Sequence, residues 1–386
     1  ETLPDDPPQP AWEASAEWSE RSSAKVSITT VSGASARQEY PAASRADLVT
    51  RLLPALWSGP TAVVSGPGEI GVVGHRVVHG GPDYSASVVV TPQVKADIQR
   101  LAAFAPVHNP ENLAGIEAVE RVMPGVSQVA AFDTAFHAHL PHAAAVYPGP
   151  YAWYERGIRR YGFHGISHQF CAERAAKLLG RDLTSLRLVT AHLGNGCSLA
   201  AIVDGRSVDT TMGFTPLDGL MMGSRSGAVD PSILTYLQRT DHATADQLDA
   251  ALNHESGLQG ISGVSSDMRE VLAARTQGNP RAGLAFDMFV HSLRRYLGAM
   301  LAVLGGADAI VFTGGIGEHS PQVRAGACAS LGFLGLALDP DRNAASPADA
   351  AISTPGSKLP VLIVHTLEDW VIARDCWRLL RSNAAH

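Results

Sequence analysis

The chain has 386 residues, 45% of them hydrophobic, which is enough for two domains with their own cores. Thirty Lys and Arg against 37 Asp and Glu leave a formal charge of −7 with no basic block, so no nucleic-acid-binding surface is indicated. The longest nearly apolar run, residues 297–312, is broken by Gly305-Gly306 and Asp308 before it reaches bilayer length, and no charged-then-apolar leader opens the sequence, so neither a membrane span nor a signal peptide is expected.

The first nine residues, ETLPDDPPQ, are rich in proline and acid and read as an exposed loop. Alternation in KVSITTV (25–31) predicts a strand, and SRADLVTRLLPALW (44–57) has helical spacing that Pro54 disturbs. IGVVGHRVVHGG (70–81) reads as a buried strand ending in glycines, NPENLAGIEAVERVM (109–123) as an amphipathic helix, and SQVAAFDTAFH (127–137) as a strand running into a polar end. This alternation predicts α/β layering. Proline, glycine and charge interrupt it around YPGPYAWYERGIRR (147–160), where a domain boundary is expected: residues 1–148 with 370–386 as one unit, 149–369 as the other.

In the second unit LRLVTAHL (186–193) and CSLAAIVD (197–204) are short apolar runs that read as strands, joined by a glycine-rich turn. Asp204-Gly205 is a strong hairpin signal that returns the chain into a third strand around RSVDTTMG. A helix is expected around PSILTYLQRT (231–240), a long one over 280–305, then a strand in DAIVFTGGIGEHS and a last strand and helix over 359–382. Cys171, Cys197, Cys328 and Cys376 are far apart without a C-x-x-C pair, which argues against a zinc site or a disulfide framework and for free thiols in the cytoplasm.

Polar residues gather at the ends of the apolar strands, where open α/β folds build ligand sites: His75, Arg76 and His79, then Asp133, then His192 and Asn195, then GGIGEHS. The 194–196 turn is either an ordinary hairpin loop or a phosphate cradle. Arg225, between glycines in GLMMGSRSGAVDP, serves either a surface salt bridge or a planar grip on a carboxylate or phosphate, and Arg76 offers a second such fork. GGIGEHS (314–320) is a strand-to-helix turn that could also bring backbone to a nucleotide, but it lacks the Lys-Ser/Thr ending of a Walker A loop. His164 and His168 stand at i and i+4 without the Glu of H-E-x-x-H or an evident third ligand, so zinc is disfavoured. His137, His142 and His365 read as solvated or packed, and Ser266 or Asp267 as a helix cap.

GHRVVHGG, APVHNPEN, FDTAFH, YGFHGISH, AHLGNGCS, TPLDGLMMGSRSGAVDPSI, SSDMRE, FTGGIGEHS and TLED occur in the order of the motifs of bacterial acetate kinases, and the chain resembles that family over residues 70–375. The resemblance implies two ribonuclease H-like domains of the acetate and sugar kinase/actin type closing on a nucleotide in an interdomain cleft, and a homodimer. It implies that His192, Leu193, Gly194, Asn195 and Gly196 face nucleotide phosphates, and that Asp267, Met268, Arg269 and Gly314, Gly315, Ile316, Gly317 and Glu318 lie on the adenosine side. Arg76 and Arg225 would hold acetate and the moving phosphoryl group, His164 would stabilise the transition state, and Asp133 and Glu368 would help place Mg²⁺ or Mn²⁺. Val78, Val107, Phe163 and Pro216 match a small apolar acyl pocket.

Two departures stand out. His319 replaces the asparagine of many members, and the family's opening strand with its polar phosphate loop lies before the first residue, so an open sheet edge is expected beside AWEASAEWSE (11–20). The implied activity is reversible transfer from ATP to acetate, giving acetyl phosphate and ADP. The rivals are a propionate or butyrate kinase and a nucleotide-binding protein impaired by loss of that loop.

Overall fold

The computed structural model describes residues 3–4, 6–20, 23–41, 44–106 and 108–384, and the chain forms two compact units. The first takes the residues up to Ala135 and those from Leu367 onward; the second is continuous from Phe136 to Thr366. The sequence places these boundaries at 148 and 370. Residues 136–148 belong with the second unit because His137 bonds Ser207 (2.7 Å) and the Tyr147 hydroxyl accepts from Phe214 N (2.9 Å).

The first unit holds two three-stranded sheets. In one, β1 (Trp12–Glu20), β2 (Ser23–Thr30) and β3 (Ser35–Pro41) pair antiparallel in that order. Ala24, Val26 and Ile28 of β2 point inward with a period of two, which is the strand alternation read from 25–31. They pack with Leu48 of α1 (Arg45–Leu52), a helix capped by Ser44, whose Oγ accepts from Asp47 N (3.2 Å). The α-helix gives way to a 3₁₀ turn over Leu53–Leu56, at Pro54. β1 is hydrogen-bonded to β2 on one edge and, among the described residues, to no strand on the other.

In the other sheet, β4 (Val72–Val77) runs parallel to the central β6 (Ser127–Phe132), with the short β5 (Val88–Val89) antiparallel on the far side. Val77, Ala130 and Phe132 pack with Val94 and Ile98 of α2 (Pro92–Arg100) and Ile116 of α3 (Asn109–Val122). The C-terminal helix, Glu368–Ala384, packs on β4 and β6 and places its first residue beside the C-terminal end of β4.

The second unit is built on one six-stranded sheet, β11-β12-β10-β7-β8-β9. β7 (Arg187–Leu193), β8 (Cys197–Val203) and β9 (Arg206–Thr210) form an antiparallel meander, and β10 (Ala309–Thr313) runs parallel to β7 and to β12 (Val361–Ile363). The two-residue β11 (Ala350–Ala351) closes the edge. Asp204 and Gly205 take φ of 51° and 73°, the paired positive values that a tight β8–β9 turn requires. The sheet is covered by α4 (Gly165–Leu179) and by α6 (Pro280–Leu304), which follows α5 (Met268–Thr276). α6 buries Ala282, Phe286, Phe289, Leu293, Leu297 and Leu304 along one face, and Gly305 ends it with φ of 64°. Two short helices, α7 (Gly314–His319) and α8 (Pro321–Cys328), follow β10. All four cysteines are buried and none forms a disulfide among the described residues, where no helix is long and apolar enough to cross a membrane.

Candidate active site

Three predicted residues come together in the first unit. The Arg76 guanidinium, at the end of β4, donates from Nε to Oδ1 of the buried Asp133 (3.0 Å), with a second bond from Nη2 to Oδ2, and lies 3.6 Å from Glu368 Oε2. The β4–β6 pairing creates this: the two strands run parallel, so Arg76 and Asp133 emerge from the same end, and Asp133 N donates to Val77 O (3.0 Å). Glu368, which the sequence boundary assigns to the other unit, belongs here because the C-terminal helix starts over the same edge. Burial, then the charge of Asp133, pushes the Glu368 carboxyl up to about 7. Two carboxylates with one arginine between them are short of positive charge. That donor set fits a magnesium ion, which takes one or two carboxylates and keeps the rest of its shell as water and phosphate oxygen. Among the described residues no group of three or more His, Cys, Asp or Glu could hold a metal alone. Val78 is buried beside this cluster in sequence, its amide donating to Asn112 Oδ1 (3.0 Å); Val107 lies outside the described residues.

In the second unit the turn after β7 gathers His164, His192, Gly196 and Arg225. His164 caps α4 with φ of 56°, a left-handed conformation that is strained for a residue with a side chain and is typical of functional sites. Its ring stacks on His192 at 4.2 Å between centroids. A Cβ added to Gly196 would lie 3.3 Å from Arg225 Nη1 and 3.4 Å from His164 Nε2, so guanidinium, imidazole and bare backbone meet at one point. Arg225 donates to Pro216 O (3.2 Å) and, among the described residues, has no carboxylate partner; burial lowers its pKa, which marks a desolvated cation without a counter-charge. Its surface-salt-bridge alternative therefore falls away. Phe163 is buried against the same segment, its carbonyl accepting from His137 Nε2 (3.1 Å).

A cavity of about 580 Å³ adjoins the turn and is lined by Gly194 and Asn195 on one side, Asp267, Met268 and Arg269 at the start of α5, and Gly315 and Ile316 of α7. Asp267 caps α5 by accepting from Arg269 N (2.8 Å), and its carboxylate also takes the Arg269 side chain (3.0 Å), which is otherwise exposed. Ser266, Leu272, His319, Ser320 and Gln322 complete the lining; of these Leu272 and Gln322 drew no notice in the sequence. Ser320 Oγ is buried with no hydrogen-bond partner among the described residues, an orphaned hydroxyl that fits a polar ligand in this cavity.

Leu193, Gly314, Gly317 and Glu318 lie beneath the cavity rather than along it. Leu193 is buried, and Gly314 (φ 75°) passes so close to it that a Cβ would stand 2.9 Å from Leu193 O, so only glycine fits. The Glu318 carboxylate turns inward, accepting from Gly314 N (3.0 Å) and meeting His365 Nδ1 (2.7 Å). Arg324, fully buried, donates to the Gly317 and Glu318 carbonyls (2.7 Å each) and to Asn343 Oδ1 (2.8 Å), which clamps the end of α7. Sequence reasoning passed over Arg324 because nothing local distinguishes it from a solvated helix arginine.

Comparison with known proteins identifies the family. The model of the acetokinase family matches residues 4–374. The acetate kinases of Gloeobacter violaceus and of a Cyanothece species are 58% and 56% identical over 381 and 379 residues, covering 98% of this chain and 94% and 93% of theirs. Among solved structures, Porphyromonas gingivalis acetate kinase superposes with a TM-score of 0.86 at 40% identity (92% of this chain, 90% of that one), and a Francisella tularensis propionate kinase with 0.88 at 36% (96% and 93%). The two-unit α/β fold is theirs, and the chain belongs to the acetokinase family.

Proposed function

We propose that the protein catalyses reversible, Mg²⁺-dependent phosphoryl transfer between ATP and acetate, forming acetyl phosphate and ADP by direct in-line displacement. The observation that carries this reading is the meeting at Gly196 of His164 and a desolvated Arg225 that has no carboxylate partner among the described residues, beside a cavity floored by the glycine-rich α7. Acetate, with a pKa near that of a Glu side chain at about 4.3, is ionised at neutral pH and needs no base. One carboxylate oxygen bonds to the γ-phosphorus while the bond from phosphorus to the β,γ-bridging oxygen breaks, ADP leaves with that electron pair, and no proton moves. The obstacle is repulsion between two anions, so the residues act by placing charge. Arg225 and Arg76 hold acetate and the equatorial phosphoryl oxygens, and His164 donates to the same oxygens as they spread into a plane. Asp133 and Glu368 would hold Mg²⁺, which when bound neutralises phosphate charge.

The turn at 194–196 and the α5 and α7 termini would take the phosphates and the adenosine. Val78, Val107, Phe163 and Pro216 would bound the methyl group. Exposed Ile233, Tyr236, Leu284 and Met288 support a homodimer contact, and four buried cysteines, not joined in disulfides among the described residues, support a cytoplasmic setting.

Trapping acetyl phosphate with hydroxylamine tests the reading. Hydroxamate should form from ATP and acetate only with Mg²⁺, and Arg225→Ala should abolish most of it with the circular dichroism spectrum intact. A folded wild-type protein that forms none would overturn the assignment.

A further inference from the structure

Behind His164 lies a line of buried groups that the transfer reaction does not use. His164 Nδ1 is 2.8 Å from Ser198 Oγ, Ser198 Oγ is 2.8 Å from His168 Nε2, and His168 Nδ1 is 2.7 Å from Thr190 Oγ1. Ser198, His168 and Thr190 are fully buried. Burial, reinforced by His137 and His192 nearby, holds His168 well below its ordinary pKa, so it is neutral and carries one ring proton.

One proton per link allows two arrangements. In the first, Thr190 donates to His168 Nδ1, His168 Nε2–H donates to Ser198, Ser198 donates to His164 Nδ1, and a neutral His164 carries its proton on Nε2. In the second every bond is reversed and His164 holds its proton on Nδ1. The reversed line leaves the Thr190 hydroxyl proton needing an acceptor, and among the described residues its side chain bonds only to His168. A buried donor without an acceptor is costly, so the first arrangement is favoured. It also puts the ring proton on the edge of His164 that lies nearest Gly196, next to Arg225.

We propose that Thr190, His168 and Ser198 are positioning residues that fix His164 as the Nε2–H tautomer, making it a hydrogen-bond donor to a phosphoryl oxygen without its needing a positive charge. This rests on the kinase reading for its consequence, but the tautomer itself does not. A neutral donor has two advantages at this place. It keeps donating at alkaline pH, and it sets no positive charge against the stacked His192 ring.

The test is long-range ¹H–¹⁵N correlation NMR of histidine-labelled protein, beside the pH profile of acetyl phosphate formation. Wild type should show neutral His164 protonated on Nε2 and a rate that holds steady on the alkaline side of the His164 titration. Ser198→Ala should raise the Nδ1–H form, lower kcat about tenfold or more with little change in the acetate KM, and give a rate that falls as His164 deprotonates. Ser198→Thr, which keeps the hydroxyl, should restore wild-type behaviour. Thr190→Val provides the same tautomer reading if Ser198→Ala does not fold. Neutral His164 protonated on Nδ1 in wild type, or an unchanged tautomer in the folded variant, would overturn the proposal even in an inactive protein. Absence of acetyl phosphate with the expected tautomer would instead count against the kinase reading alone.

Discussion

Acid should loosen the second unit through His137. This ring is fully buried, its Nε2–H donating to Phe163 O (3.1 Å) and its Nδ1 within 2.7 Å of Ser207 Oγ. Burial lowers its pKa from 6.5 to about 4. The unfolded chain therefore binds a proton that the folded chain refuses between those two values. The stabilisation is complete above pH 6.5 and is lost progressively as pH falls toward 4. At about 1.4 kcal/mol per pH unit, the full window from 6.5 to about 4 corresponds to about 3 kcal/mol from this ring. His168, also depressed by burial, acts in the same direction. Urea unfolding of wild type and His137→Gln, followed at several pH values from 7.5 to 4.5 through a probe in the second unit, measures the effect. Glutamine keeps a donor and an acceptor but cannot titrate. Its unfolding free energy should fall less steeply with acid, by about 1.4 kcal/mol per pH unit once the pH is well below 6.5. Equal slopes in the two proteins would refute the reasoning.

His164→Ala should lower kcat by about 10²- to 10³-fold with the acetate KM little changed, as expected for a donor whose bond strengthens in the transition state; steady-state kinetics with both substrates varied will show it. Val78→Ala should shift the ratio of specificity constants toward propionate by about 1 kcal/mol, and an unchanged ratio would remove Val78 from the acyl pocket. Gly314→Ala places a Cβ 2.9 Å from Leu193 O in a left-handed conformation that costs a side-chain-bearing residue about 1–2 kcal/mol. It should lower the melting temperature and raise the KM for ATP more than that for acetate, because the strain falls on α7.

Local pattern carried the fold where one residue type settles the geometry. Asp204-Gly205 forced its turn, the apolar spacing of 280–304 forced a one-faced helix, and Pro54 ended α1. Polar strand ends likewise pointed to Arg76, Asp133 and His192. What stayed hidden depends on which strands pair and which way a side chain turns. Nothing in YGFHGISH reveals that His164 is left-handed, and nothing in GGIGE reveals that Glu318 faces inward to His365 while Gly315 and Ile316 face the cavity. Ser198 reads as one more strand residue until β8 lies beside β7 and brings it between two histidines.

The first unit is assembled from both ends of the chain, whereas the second is one uninterrupted stretch. Glu368 reaches Arg76 only across the whole length of the second unit, so this contact closes a far longer loop than any pairing of neighbouring strands and carries a correspondingly larger closure entropy. The same closure brings the helix residues Ile372 and Cys376 onto β4, where they press so closely on Gly74 that no side chain could stand there. The second unit, one uninterrupted stretch, can therefore order its own cavity without waiting for the cluster at the end of β4.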